Sequence, residues 1–352
     1  MRMFGKKKAK PLVGLDIGSS GVKAVELHKK GDEYELANVD LENLGQDVVV
    51  DGDIMDATAV KDAIDSIFRR NKIRTRDVAT SVSGHSVIVK RITVNAANEA
   101  ELHNAVQYEA PQHITFDIAD VYHDYHVLGP GPSGGYDVML VVVKQDKVLR
   151  YRNAITTAQM NPVVVDIDAF ALQNAYEANY QPPADQMTAL LNIGASIMNI
   201  HIVRGSVPLF TRDVPVGGNQ YTDTLQKELD LSFEDAEILK KGQEVPNVSL
   251  DAKAGHIRSV SDILLLEIQK TFDFFRQTAS GENIQSIYVA GGTAKIDGLV
   301  DLLKEDFGIP VEIFDPFRRI TVPDTIGPEL VREQGPRMTV AVGLALRSFD
   351  ES

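Results

Sequence analysis

Short apolar runs, each closed by small or turn-forming residues, set the rhythm of this chain. Residues 12–17 (LVGLDI) read as a buried strand, 18–21 as a turn and 22–28 as a second strand, with a third predicted at 34–44. Val60, Ala63, Ile64, Ile67 and Phe68 then share one face of a helix, and 78–83 returns to strand. Strands and a helix alternating in this way predict an α/β unit.

Residues 84–160 change character. A strand at 87–94 precedes a helix capped by Asn98, with Glu101 at the capping-box position and Pro111 as the expected stop. Strands follow at 121–128 and 136–143, separated by the turn-rich GPGPSGG, and a helix spans about 147–160. This predicts a small inserted α+β unit, because α/β patterning resumes with a strand at 162–167 and a helix at 169–179. QPPAD (181–185) then punctuates the chain. Beyond it, 189–193 and 198–203 repeat the strand–turn–strand pattern of 12–28. Helices are predicted around 221–229, 233–241 and 261–279, a strand at 286–290 before GGTAKIDG and a helix, and a last helix at about 338–349. The expected division is a first lobe of 1–83, 161–185 and 336–352, an insertion of 84–160, and a second lobe of 186–335.

Length supports that division: 352 residues exceed one ordinary core. A net charge of −14 argues against nucleic acid as the main ligand. With no cysteine, disulfides and thiolate metal sites are excluded. The longest apolar stretches, such as 138–143, fall far short of the ~18 residues a spanning helix needs. The first ten residues hold Arg2, Lys6, Lys7, Lys8 and Lys10, with only Met1, Met3 and Phe4 as apolar companions. They read as a solvated leader, with weak attraction to an anionic membrane surface as the alternative.

Three loops could carry chemistry. The first, Asp16-Ile17-Gly18-Ser19-Ser20-Gly21-Val22-Lys23, ends a strand in Asp and turns through small residues. Glycines let a backbone approach a ligand, successive N–H groups make an anion nest, an Asp can hold hydrated Mg²⁺, and Lys23 could neutralise a phosphate. The second, Asn192-Ile193-Gly194-Ala195-Ser196, repeats that context; the third, Gly291-Gly292-Thr293-Ala294 with Gly298, joins a strand to a helix. None is a Walker A or GxGxxG sequence. Each alone is an ordinary turn, but three in order, two of them in separate lobes, suit a nucleotide held in a cleft. Other features read as structure. His123 and His126 are three apart in a strand and face opposite sides. Tyr122, Tyr125 and Tyr136 read as packing residues of a half-buried sheet, and Ile263–Leu266 with Ile268, Phe272 and Phe275 as a core helix.

Taken together, these loops resemble the actin-like ATPase superfamily, an α/β, ribonuclease H-like two-lobed fold. The first looks like its phosphate-1 motif DxGxxxxK, the second like phosphate-2, and GGTAKIDG like the adenosine motif. Residues 216–242 resemble the matching part of the cell-division protein FtsA. The opening FGKKKAKPLVGLDIGSSGVKAVEL is similar to PilM-type type IV pilus assembly proteins, and the insertion sits where PilM and FtsA carry their extra small domain. The resemblance implies ATP and Mg²⁺ as ligands. Gly18, Ser19, Ser20, Gly21, Lys23, Gly194, Ala195, Ser196, Gly217 and Gly218 would then face the phosphates. Glu237, Lys240, Lys241, Gly291, Gly292, Thr293 and Ile296 would face the adenosine, and Asp16 and Asn192 the metal. Asp168 matches the position that orients the attacking water, and Ala341 and Gly343 the helix whose small residues allow close packing. The superfamily usually has Asp where this chain has Asn192, so at most slow hydrolysis is expected. A role follows by the same resemblance: a cytoplasmic assembly factor, peripheral at the inner membrane, that binds the N-terminal tail of a PilN-like protein. Val87, Val89 and Val121 are expected to line the peptide groove, with self-association as the competing role of the insertion. An FtsA-like filament-forming tether is the runner-up, disfavoured by the absence of an amphipathic helix after Phe349. A small-molecule kinase comes third, since Asp168 is the one evident base.

Overall fold

A computed structural model describes residues 11–131, 134–246, 248–279 and 282–349. The basic first ten residues lie outside them. The first part of the chain runs β1 (Val13–Gly18), β2 (Gly21–Lys30), β3 (Glu33–Asn43), β4 (Val49–Val50), β5 (Asp53–Ile54), α1 (Ala57–Arg70) and β6 (Asp77–Val82). Then come β7 (Val87–Val94), α2 (Glu99–His113), β8 (Val121–Pro130), β9 (Tyr136–Lys144), α3 (Gln145–Thr157), β10 (Asn161–Ile167) and α4 (Asp168–Tyr180). The rest is β11 (Met187–Ile193), β12 (Met198–Arg204), β13 (Val207–Val214), α5 (Gly218–Leu229), α6 (Phe233–Lys240), α7 (Leu250–Thr278), β14 (Ser286–Ala290), α8 (Leu299–Phe307), β15 (Val311–Ile313), β16 (Ile320–Thr321), α9 (Pro328–Gln334) and α10 (Thr339–Leu346).

Two sheets share one plan. The first has the order β10-β6-β1-β2-β3-β16, with β1 and β2 an antiparallel hairpin and β6 and β10 parallel to β1. In the second, β13-β12-β11-β14-β15, β11 and β12 are the hairpin and β14 runs parallel to β11. Covered on both faces, β1 and β11 are almost continuously apolar, as buried central strands must be. The amphipathic helix α1 starts on the Asp56 cap, whose carboxylate accepts from the N–H groups of Thr58 and Ala59, and turns Val60, Ala63, Ile64, Ile67 and Phe68 inward. The fully buried α10, apolar but for Thr339, lies beside α4 and beneath β1. Glycine makes that possible. A Cβ on Gly343 would stand 1.7 Å from Ala171 O, and one on Gly14 2.0 Å from Ala341 O.

The third sheet is β7-β9-β8, with its own small core of Ile92, Val94, Leu102, Val106, Val138, Leu140 and Val142. Some expectations change here. Pro111 does not stop α2, which runs two residues further. Proline's φ suits a helix, and in a last turn the lost N–H bond and the ring's crowding of the preceding turn disturb only the residues that end it. Although read as part of the insertion, α3 puts Tyr151, Ala154 and Ile155 into the core around β1 and α1. The second lobe was expected to reach 335, yet Ile320 and Thr321 already pair with β3 of the first sheet. The core helix read at 261–279 starts at Leu250, and Ile263 and Leu266 lie on its exposed face. Tyr125 and Tyr136 pack on the small core, but Tyr122 is exposed. His123 approaches Gln107 while His126 stays in solvent.

Candidate functional site

The turns of both hairpins and the end of β14 converge. In the first, Gly18 pairs with Gly21, and Asp16 with Lys23 across the ladder. A Cβ on Gly21 would meet Glu42 O at 2.6 Å, so only glycine fits the turn there. Lys23 Nζ lies 3.1 Å from the Asp16 carboxylate, both largely buried.

In the second, one carbonyl ties three segments together. Gly194 O accepts from Gly218 N at 2.9 Å and from Thr293 Oγ1 at 2.9 Å, while Asn219 N donates to Ala195 O at 2.8 Å. Gly217 has no room for a side chain, since its Cβ would sit 2.5 Å from the same Gly194 O. Gly291, at φ 87°, would clash with Ile193 O at 2.2 Å. Residues 194–196, 217–218 and 291–293 thus form one closely joined cradle.

Beside it, Glu237 receives the Thr222 hydroxyl at 2.5 Å and pairs with Lys240; Lys240 Nζ also donates to Thr222 Oγ1 at 2.8 Å and to Gly218 O at 3.2 Å. Burial works to raise the Glu237 carboxyl, but Lys240, Thr222 and Lys241 outweigh it and hold the group below its ordinary range. Lys241 reaches Glu237 at 3.4 Å from an exposed position. Ile296, expected at the adenosine, instead belongs to the core of the second sheet.

Acidic side chains gather beside the first loop. Asp168 opens α4, where a helix N-terminus favours negative charge, and its carboxylate accepts from Ser81 Oγ at 2.6 Å. Burial, with Asp16 nearby, pushes its pKa up to about 6. Asp213 accepts from Asn199 Nδ2 at 2.8 Å and from Gly84 N at 2.6 Å, and burial raises it too. Asn192 Nδ2 donates to Asn199 Oδ1 at 2.8 Å, which completes a chain from the second loop to Gly84. Opposite stands Lys147 of α3, buried, its Nζ 3.5 Å from Asp53 and within the fields of Asp168 and Asp213; burial lowers its pKa. Tyr151, one turn on, donates to Gly52 O at 2.9 Å.

Four of these residues escaped the reading of the sequence: Asp213, Lys147, Tyr151 and Arg337. Arg337 runs along Gly292, whose Cβ would lie 3.4 Å from Arg337 Cγ, and its guanidinium reaches Ser20 Oγ and Asn43 Oδ1, each at 3.4 Å. It spans the first loop and the third. No motif marks it, but its burial beside Asp16 and Glu237 does.

The three peptide-groove residues are not brought together. Val121 is 4% exposed inside the small core and unavailable to a partner. Val87 and Val89 instead line a small cavity with Asp168, Thr211 and Asp213, at the seam between the third sheet and the larger ones. Ala341 and Gly343 are where close packing was expected. No cluster of three or more His, Cys, Asp or Glu among the described residues could hold a metal by direct ligation. Asp16 offers a single carboxylate, suited to a cation that keeps its water.

The chain aligns with the solved PilM-PilN type IV pilus biogenesis complex at a TM-score of 0.86 and 27% identity, covering 99% of this chain and all of that one. MreB 5 of Spiroplasma citri bound to AMPPNP aligns at a TM-score of 0.53 and 15% identity, over 96% and 95% of the two chains. The cell division protein FtsA of Streptococcus pneumoniae serotype 2 is 22% identical over 344 residues, covering 86% of this chain and 75% of FtsA. The fold is therefore the actin-like α/β fold. The model of the Type IV pilus assembly protein PilM family matches residues 14–349, and the chain belongs to that family.

Proposed function

We propose that this chain is a nucleotide-binding assembly factor of the type IV pilus that acts at the inner membrane through a PilN-like partner. The observation that carries the nucleotide is the Gly194 carbonyl, which joins three loops so closely that glycine is required at Gly217 and Gly291. Backbone brought this near a cleft supplies N–H donors for phosphates. Gly18–Gly21 with Lys23 would meet the phosphates from one side, and Gly194–Ser196 with Gly217 and Gly218 from the other. Glu237, Lys240, Gly292 and Thr293 would hold the adenosine. Asp16 fits a hydrated Mg²⁺, which would offset phosphate charge; Asn192 adds no negative charge. Asp168 is suited to orient a water. With Asn192 committed to Asn199, ATP serves mainly as a structural ligand.

The partner reading rests on family membership and on the complex that the chain resembles. We assign the partner's N-terminal tail to the seam beside Val87 and Val89, without Val121. Calorimetry with Mg·ATP, together with a labelled PilN-like peptide, tests both halves. Asp16→Ala should weaken metal-dependent ATP binding, and Val87→Glu with Val89→Glu should abolish peptide binding while ATP still binds. Equal ATP affinity in wild type and Asp16→Ala would misplace the nucleotide. Undiminished peptide binding would move the groove elsewhere.

A further inference from the structure

The parallel strands give the first sheet two distinct ends. Val13 of β1 pairs with Val78, and Asn161 of β10 with Asp77, so three strands begin together; the nucleotide loops lie where they end. The segment entering β6 at the starting end is Arg69-Arg70-Asn71-Lys72-Ile73-Arg74-Thr75-Arg76. It holds five cations and no acid, in a chain of net charge −14.

All five are exposed, and only one is neutralised. Arg70 pairs with Asp40 and Glu42. Arg69 donates to the Asp65 carbonyl, and Arg76 has only the Met160 sulfur at 3.5 Å. Arg69, Lys72, Arg74 and Arg76 make no ion pair with the described residues. Helix capping explains part of this: Arg69 and Arg70 end α1, where cations suit the helix dipole. It does not explain Arg74 and Arg76, which lie beyond the helix. Nor does it explain Lys72, a side chain held at φ 53°, where glycine or asparagine is the usual choice. Arg69, Lys72 and Arg76 rim a cleft of about 450 Å³ between the ends of α1 and α3, floored by Phe68, Ile73 and Met160; Lys61 and Asp65, also at its edge, neutralise each other.

We propose that this basic end docks on the anionic surface of a phospholipid bilayer, headgroup phosphates meeting Arg69, Lys72, Arg74 and Arg76. Charge complementarity selects the occupant. Unpaired cations on one face of an otherwise acidic protein attract an extended anionic sheet and turn the remaining negative surface away from it. Lying at the strand end opposite the nucleotide loops, the contact leaves them open. It holds whether or not the nucleotide and peptide sites are as proposed above. No helix among the described residues is long and apolar enough to cross a membrane, so the contact is superficial.

The test is sedimentation of the full chain with vesicles of phosphatidylcholine alone and of phosphatidylcholine mixed with phosphatidylglycerol. Every variant keeps the basic residues before Pro11, so their effect is common to all arms. Wild type should bind the anionic vesicles only. Near such a surface each cation is worth about fivefold in partition, so Arg74→Ala with Arg76→Ala should lower it roughly twenty-five-fold. The effect should fade as salt shortens the screening length. An unchanged thermal midpoint, expected for exposed residues, shows that the fold is intact; Arg74→Lys with Arg76→Lys should restore binding. Equal partition of wild type and the alanine variant, or equal binding to neutral vesicles, overturns the proposal. So does an oligoglutamate peptide that binds the wild type, loses affinity in the alanine variant and outcompetes the vesicles, which would make the partner an acidic protein segment.

Discussion

Asn192 donates its side-chain amide to Asn199 Oδ1 at 2.8 Å, and Asn199 in turn donates to Asp213. The chain works in one direction only. Asn199 can satisfy Asp213 because Asn192 offers it an N–H.

Asn192→Asp should therefore have two effects. Asn199 cannot donate fully to two carboxylates, so the ligand-free protein should lose roughly 1–3 kcal/mol, read as a lower denaturant midpoint. With Mg·ATP the new carboxylate would gain a counterion, and any phosphate release should rise, by up to ~10²–10³-fold if it supplies a missing transition-state contact. A wild-type turnover of tens per second, or a variant slower than wild type, would refute this.

Lys147 is expected to be worth more for its charge than for its stem. Lys147→Ala removes the cation facing Asp53, Asp168 and Asp213 and leaves a void, at a cost of about 3–5 kcal/mol. Lys147→Met fills the void but leaves the acids facing one another, so it should recover only part of that loss. Chemical denaturation of the pair decides; equal stability of wild type and alanine variant would contradict it.

Asp168 makes stability depend on pH with an unusual sign. Its folded pKa of about 6 lies above the ordinary carboxylate value, so the folded state holds the proton more tightly. Its contribution is fully present below about pH 4 and is lost as pH rises through about 6. Asp168→Asn should remove that loss and stabilise the ligand-free protein at pH 7 by up to ~3 kcal/mol, while lowering any ATP turnover. His201 opposes the trend: burial depresses its pKa to about 3, so its contribution is present above about 6.5 and is lost on acidification. Denaturant midpoints between pH 4 and 8, for wild type and Asp168→Asn, separate the two.

Gly343→Ala should be far more damaging than a methyl group suggests. Its Cβ would fall 1.7 Å from Ala171 O, where two helices meet and neither backbone can yield. We expect a loss above about 4 kcal/mol, visible as insoluble or unfolded protein on expression. Gly255→Ala, with open space around it inside α7, should be neutral or slightly stabilising.

Where turn chemistry is explicit, the sequence was easy to read. Asp16 to Lys23 and Asn192 to Ser196 announced their hairpins through small residues between apolar runs, and so the cradle was found. What failed was periodicity. Pro208 disguised β13, yet β13 is an edge strand, where a missing N–H is tolerated. With β13 went Asp213, the acid that anchors Asn199. The first turns of α7 were hidden by Lys253, a charged residue buried against Leu239 O and Asp297. Arg337 and Lys147 owe their place at the cleft to tertiary contact alone, which local patterning does not encode.

The third sheet leaves the main body and returns to it at nearly the same point. Val87 pairs with Val143, Lys144 N donates to Ser86 O, and α3 follows at once into the first core. The excursion between them is thus a loop whose mouth is already closed by the scaffold. Its contents can be lengthened, shortened or exchanged without stretching the strands on either side. Evolution can change the surface this protein presents there while Lys147 and Tyr151, just past the mouth, keep their places beside Asp53 and Gly52.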